Sequence, residues 1–436
     1  MSSYNNITTR IIDSVFDRAN LRVEFRVPAD SVYLSNMRLV GLGIFSDNAT
    51  SSYNELLGAL GGVKNISVFD GAVLLEQMNN AEVVNAFKAV GFNNDDNLSV
   101  NRHLKYNALG FTASGEHKTL ASNQFDPKDI QVLQQNPVAD NVNSRAWLSL
   151  KDHLSFFKSS MIIPTNIFRN FRIVVEYNSA GAMAQATSVN NATLTTGLSA
   201  TGDPNVLLLA DEVNEGDMRD AMAKNYEGVV YRPLEVDTVV VPAVTGTADS
   251  VSASVVDQSN SYLVNGFNGK KLKRIALANV ATDSSTFTNG TDNINLGGKG
   301  SVALYDPELQ VRVNGANKLA GSGISASDGG GSCQNRRLSY LVESWGDFNI
   351  IQGGNCIGLT NNDRFYPTAT QQYIGNLDYT GLRIDEVINE LQLTVNRSGI
   401  HGNQSTLQQL RLNIIGEVER AVVMRADKSY NVVYTQ

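Results

Sequence analysis

Large apolar side chains alternate with polar ones along residues 21–27, where Leu21, Val23, Phe25 and Val27 are separated by Arg22, Glu24 and Arg26. Successive side chains of a strand point to opposite faces, so a period of two marks a strand with one buried face. Phe171, Ile173 and Val175 repeat the pattern against Arg172, Val174 and Glu176. Short apolar runs recur at Val236–Val241, Val251–Val256, Leu272–Val280, Val302–Leu304, Leu309–Val313, Leu338–Ile351, Leu382–Val395, Leu407–Ile415, Val418–Val423 and Tyr430–Tyr434. Turn signals fall between the runs. Pro28 ends the first, Asp70-Gly71 separates two strands within 63–78, and glycine-rich loops occupy 289–300 and 314–331. Half-buried strands must lay their apolar faces on one another, so many short strands with turns between them predict sandwiches or barrels rather than a parallel α/β sheet.

The densest apolar run is Trp147–Tyr177. It opens with a strand-like piece at Trp147, Leu148 and Leu150. Leu154, Phe157 and Met161 then recur at helical spacing until Pro164, which has no amide hydrogen and stops the pattern. The run ends in the strand of Phe171. A strand, a packed loop-helix and a second strand close a sandwich, and 436 residues exceed what one core supports, so two sandwiches of about 200 residues are expected.

A helix is expected over residues 5–18, with Ile7, Ile11, Ile12, Val15 and Phe16 on one face and Thr8 or Thr9 as cap. A second is expected over 79–90, capped by Asn79 or Asn80, with Val83, Val84, Phe87 and Val90 inward. A third covers 211–224, where acids in the first turns and Lys224 at the end suit the helix dipole. Residues 32–45 read as one long strand bent at Gly41 and Gly43. Residues 91–145 read as a long decorated loop with one or two strands, and 178–205 as a long loop or the edge of the domain boundary. Two echoes, Tyr33–Asn36 with Tyr262–Asn265 and Phe171–Ile173 with Leu410–Leu412, fit a tandem duplication.

The chemistry-bearing residues do not assemble into a site. His103, His117, His153 and His401 lack metal-ligand spacing, and Cys333 and Cys356 lack a C-x-x-C partner. The loop Gly297–Ser301 places Gly300 after Lys299 where a phosphate-cradling loop needs Ser or Thr, and Asn93–Asn97 lacks the bidentate Glu of a calcium loop. Trp147 and Trp345 sit in apolar strand contexts and read as core anchors. No catalytic, cofactor-binding or metal-binding residue is therefore assigned, no cofactor is expected, and the chain is not expected to be an enzyme. A net charge of −8 argues against a protein that coats nucleic acid. The N-terminal residues carry no secretory pattern and no run of 18 apolar residues occurs.

Three segments resemble a known family: Trp147–Phe157 with Ile163–Tyr177, then Ile66–Gln77, and the tail Leu407–Met424 followed by Tyr430–Tyr434. They resemble the double jelly-roll major capsid proteins of viruses with double-stranded DNA, a lineage that includes tectivirus-like phages, Polinton-like viruses, virophages and large eukaryotic DNA viruses. The resemblance implies an all-β fold of two tandem eight-stranded antiparallel jelly-roll sandwiches with a few short helices. The divisions it implies are an N-terminal arm with an amphipathic helix (1–19), a first jelly roll (20–205), a helical connector (206–230) and a second jelly roll (231–436). It further implies a homotrimer forming a pseudo-hexagonal capsomer, which tiles the facets of an icosahedral shell. Implied partners are neighbouring trimers, penton and minor capsid proteins, and an inner membrane under the shell, with no sequence-specific nucleic acid. The implied location is the virion. Jelly rolls also occur in sugar-binding adhesins and spike proteins, and paired sandwiches in two-cupin metalloenzymes, whose clustered histidines this chain lacks.

Overall fold

In a computed structural model of the chain, the described residues are 6–17, 20–40, 44–46, 63–81, 83–84, 87, 147–177, 194–196, 206–242, 244–245, 257–281, 308–318, 340, 343–346, 379–398, 406–407, 410–427 and 429–435. The first module contains β1 (Ile7–Asp17), β2 (Arg22–Arg26), β3 (Val32–Leu34), β4 (Arg38–Val40), β5 (Ile44–Ser46), β6 (Val63–Asp70), β7 (Val73–Met78) and β8 (Trp147–Ser149). Two short helices follow, α1 (Leu150–His153) and α2 (Ser155–Ser159), then β9 (Ile162–Pro164), β10 (Phe171–Tyr177), β11 (Leu194–Thr196), β12 (Leu207–Val213) and α3 (Gly216–Lys224).

The strands of this module hydrogen-bond in the order β7-β6-β10-β2-β1-β12-β3-β9, with β4 joining β12 to β8. Strand β1 bridges two sheets. Its first half, Ile7 to Asp13, pairs antiparallel with β12, and its second half, Ser14 to Asp17, pairs with β2. Between the layers lie Val23, Phe25, Val68, Leu75, Phe156, Phe157, Ile173 and Leu208, all fully buried. The expected Asp70-Gly71 hairpin is present: Asp70 pairs with Val73, and Gly71 takes φ +58°, the positive value that glycine adopts without strain at the first loop position of a type II′ turn.

The second module contains β13 (Gly228–Tyr231), β14 (Leu234–Val241), β15 (Val244–Thr245), β16 (Asp257–Leu263), β17 (Lys271–Ala281), β18 (Glu308–Val313) and β19 (Ala316–Asn317). It continues with β20 (Tyr379–Val387), β21 (Leu391–Ser398), β22 (Thr406–Leu407), β23 (Leu410–Val418), β24 (Arg420–Met424) and β25 (Tyr430–Tyr434). Two four-stranded sheets, β14-β23-β17-β20 and β16-β21-β18-β19, face each other. Leu272, Ile275, Leu277, Leu412 and Ile414 of one interleave with Leu309, Val311, Val313, Leu391, Leu393 and Val395 of the other. The chain is thus all-β with a few short helices, as the alternation of its side chains requires.

Five expectations are corrected. Within 5–18, expected to be an amphipathic helix, Ile7–Asp17 form the strand β1. Ile7, Thr8, Thr9, Ile11, Ile12 and Val15 are β-branched and stiff at χ1, and pairing on both sides outweighs the helical spacing. Only Ile12 is fully buried, with Phe16 packed against the core, while Ile7, Ile11 and Val15 face outward. The stretch 206–230 is not wholly helical, because β12 precedes α3 and completes the first module's sheet. In 338–351 the described residues 340, 343 and 344 are helical rather than strand. Met161, expected to continue a helical face, is 85% exposed, since the chain turns extended at Ser160 and enters β9. Residues 32–40 form two strands rather than one. Val251–Val256, Val302–Leu304, Val90, Gly41, Gly43 and most of 91–145, 178–205 and 281–331 lie outside the described residues.

Candidate functional site

Among the described residues, the densest polar and aromatic constellation lies where the two modules meet. Strands β14 and β23 form a ribbon of the second sandwich, and their neighbours β13 and β24 continue it beyond a bend at Pro233 and Glu419. Past the bend, β24 pairs with both β13 and β25, and this three-stranded sheet packs onto the first module. Tyr231, Val236, Ala276, Trp345, Ile415 and Val422 of the second module belong to the same buried cluster as the first module's core. The modules therefore share apolar interior and do not merely touch.

Polar groups fix the register of this seam. The Leu75 carbonyl at the centre of β7 accepts from the Tyr231 hydroxyl and, at 3.2 Å, from Arg420 Nη1. The Arg420 guanidinium lies 4.6 Å from the centre of the Tyr434 ring. The Tyr430 hydroxyl donates to Asp70 Oδ2 at 2.5 Å, while the Asn170 amide donates to the other Asp70 oxygen at 2.6 Å. The side chain of Asn79 pairs with the backbone of Val236 in both directions: Nδ2 donates to the carbonyl at 2.9 Å and Oδ1 accepts from the amide at 3.2 Å. Asn79 thus acts as one residue of a strand edge. The other expected cap, Asn80, instead presents its carbonyl to the Val83 and Val84 amides.

Aromatic rings fill the space between. Phe168 meets Tyr430 edge-on at 4.9 Å and Tyr226 at 5.8 Å, and Phe156 meets Tyr231 at 5.5 Å. Burial pushes the Tyr226 hydroxyl up to about 12. Burial also raises Tyr231, and burial followed by the Asp70 carboxylate raises Tyr430, so these hydroxyls stay protonated and remain donors. Further along, Phe87 of the first module meets Trp345 of the second at 5.0 Å and 76°. Trp345 donates from Nε1 to the Ile275 carbonyl at 3.0 Å. Arg274 lies 4.1 Å above its ring and holds Glu417 through Nε and Nη2 at 2.6 and 3.3 Å.

At the bend, Glu419 accepts from the Thr435 hydroxyl at 2.7 Å and is ringed by Arg232, Lys271 and Lys273 at 3.4 to 3.7 Å. Burial alone would raise its carboxyl, but the Thr435 hydrogen bond and the lysines outweigh that, so it is held below the usual carboxylate range.

Of the chemistry-bearing residues weighed in the sequence, His103, His117, His401, Cys333, Cys356, 93–97 and 297–301 lie outside the described residues. His153 ends α1, and Trp345 is a buried anchor at the seam, outside the strand context read for it. Among the described residues no group of three His, Cys, Asp or Glu side chains could hold a metal, and no helix is long and apolar enough to cross a membrane. Glu76, Asn79, Arg420 and Tyr430 are not legible as a constellation in the sequence, because their partners are separated by 79 to 360 positions.

No protein family's sequence model matches the chain, and no curated protein matches it by sequence. Solved structures do. The capsid of PBCV-1 is similar over 99% of this chain and 97% of its own, with a TM-score of 0.54 at 10% identity. The major capsid protein of Faustovirus is similar over 96% of this chain and 91% of its own, with a TM-score of 0.52 at 10% identity. This chain has the double jelly-roll fold of major capsid proteins. The Sputnik virophage structure adds a TM-score of 0.50 at 10% identity, over 98% of this chain and 88% of that one. Within the double jelly-roll fold, the seam is where one roll is joined to the next.

Among the described residues, two outer faces are apolar with no internal partner to explain them. On the three-stranded sheet, Val229, Val422 and Val432 point to the core, while Val230, Val423 and Val433 point out and are 58, 47 and 39% exposed. Val230 and Val433 flank Ala421 directly across the ladder, which makes the patch continuous. On β1, Ile7, Ile11 and Val15 form a second such row.

Proposed function

We propose that the chain is a major capsid protein, a structural subunit whose three copies form a pseudo-hexagonal capsomer that tiles the facets of an icosahedral virion. The observation that carries this reading is the likeness in fold to viral capsid subunits along nearly the whole chain, both modules and their junction included. A shared core makes the two rolls one rigid block, as a subunit that presents two similar walls at a fixed angle needs. Three such blocks around an axis present six walls, and six-sided blocks tile a plane. The exposed valines of the outer sheet and the apolar row on β1 suit contacts between copies, since apolar rows on a folded subunit mark surfaces that another molecule covers. Neighbouring capsomers, penton and minor capsid proteins would be its partners.

Sizing by multi-angle light scattering at micromolar concentration tests the reading. The expected result is a trimer, with particles or flat sheets in electron micrographs at higher concentration. A persistent monomer across concentration and ionic strength refutes it.

A further inference from the structure

On the outer face of the first module, a cavity of about 350 Å³ opens between β2, the β6–β7 turn and the start of β10. Its wall includes three arginines, Arg26, Arg169 and Arg172, against one carboxylate, Glu24. Arg26 and Arg172 are direct cross-strand partners in the β2–β10 ladder, a placement where like charges repel. Glu24 is already shared: it accepts from Arg26 Nε at 2.8 Å and lies 3.3 and 3.6 Å from Arg22 and Arg172. The neighbouring Asp70 directs its two oxygens to the Asn170 amide and the Tyr430 hydroxyl.

Arg172 cannot swing away. Nη2 donates to the Gly71 carbonyl at 3.2 Å, and the guanidinium lies 4.8 Å from the centre of the Phe69 ring. Its Nε is buried with no hydrogen-bond partner among the described residues. A guanidinium so held is a fixed positive charge in the cavity wall, and guanidinium groups are the side chains that recognise oxyanions. The remaining excess of two positive charges on the wall matches a dianion.

We infer that this pocket binds a doubly charged tetrahedral oxyanion, a phosphate or sulfate group, between Arg26, Arg169 and Arg172. The site lies within one module and does not depend on how copies of the chain assemble.

Isothermal titration of the purified full chain with sodium phosphate, sodium sulfate and sodium acetate at matched ionic strength tests it. Phosphate and sulfate are expected to bind one per chain, and acetate at least tenfold more weakly. Below the second ionisation of phosphate, its binding weakens while that of sulfate does not. Arg26→Ala and Arg169→Ala alter exposed side chains and leave the packed Arg172 in place; each is expected to weaken both anions about tenfold with an unchanged melting temperature in their absence. Equal binding of acetate, no binding of either dianion at millimolar concentration, or unchanged affinity in both variants overturns the proposal.

Discussion

Helix α2 starts without a capping side chain of its own, because its N-cap residue is Leu154. The carboxylate of Glu76, 79 positions earlier on β7, takes that role: Oε1 accepts from the Ser155 amide at 2.9 Å and the Ser155 hydroxyl at 2.7 Å, and Oε2 from the Phe156 amide at 2.7 Å. Glu76 is 2% exposed, so Glu76→Ala leaves these donors facing an apolar void. Hydrogen bonds to a charged group contribute roughly 1.5–3 kcal/mol each, and freeing the buried carboxylate from its desolvation cost returns part of that, so a net loss of about 3–5 kcal/mol is expected. Glu76→Gln keeps one acceptor oxygen but turns an NH₂ toward a donor, for about 1–3 kcal/mol. At about 2–4 °C per kcal/mol for a unit of this size, the alanine variant should melt about 10 °C below the parent and the glutamine variant in between. Thermal unfolding followed by far-ultraviolet circular dichroism and calorimetry reads both. An alanine variant that melts within 2 °C of the parent would refute the assignment of Glu76 as the cap that holds α2 against the sheet.

Gly228 has φ +97°, and a Cβ there would lie 2.1 Å from the Val422 carbonyl oxygen, so Gly228→Ala should unpair β13 from β24 and expose the seam to limited proteolysis while β14–β23 stays protected. Gly416→Ala would press a methyl within 2.5 Å of Phe267 and 2.8 Å of Leu272, and overpacking of that kind should destabilise by about 1–3 kcal/mol in denaturant titration. Because Glu419 is held below its ordinary range, its contribution is present above the unfolded carboxylate value and lost as pH falls through the folded one; melting temperature should drop in that acidic window, and Lys273→Met should flatten the dependence. Tyr226, Tyr231 and Tyr430 are raised, so their contribution is full below the free tyrosine value and lost as pH rises past it; ultraviolet titration should show phenolate absorbance appearing late and together with unfolding.

The strands were legible wherever one face is wet. Val23, Phe25 and Val27 are buried as their spacing requires, and the Asp70-Gly71 turn sits where its residues demand. The same logic misled at residues 5–18, where Ile7, Ile11 and Val15 stand four apart, a spacing that fits one face of a helix and, being even, one face of a strand. Only the partners 202 to 209 positions away decide between them, and no local pattern carries that information. The three-residue strands β3 and β4 fall inside 32–45, which reads as one longer strand, because length alone does not show where a chain changes sheets. The seam was unreadable for a related reason: Asn79 looked like a helix cap, and its true partner is backbone, which every residue possesses.

The hydrogen bond from Tyr430 to Asp70 spans 360 positions, and the rings around Tyr430 and Tyr231 line the interior of the first module. During synthesis, the first module must wait for Tyr430, 360 positions after Asp70, to leave the ribosome before its aromatic pocket can be plugged. A product that stops short of Tyr430 leaves the face of Phe168 that meets that ring uncovered. Closure of the first module's core and synthesis of a strand near residue 430 are thus a single event.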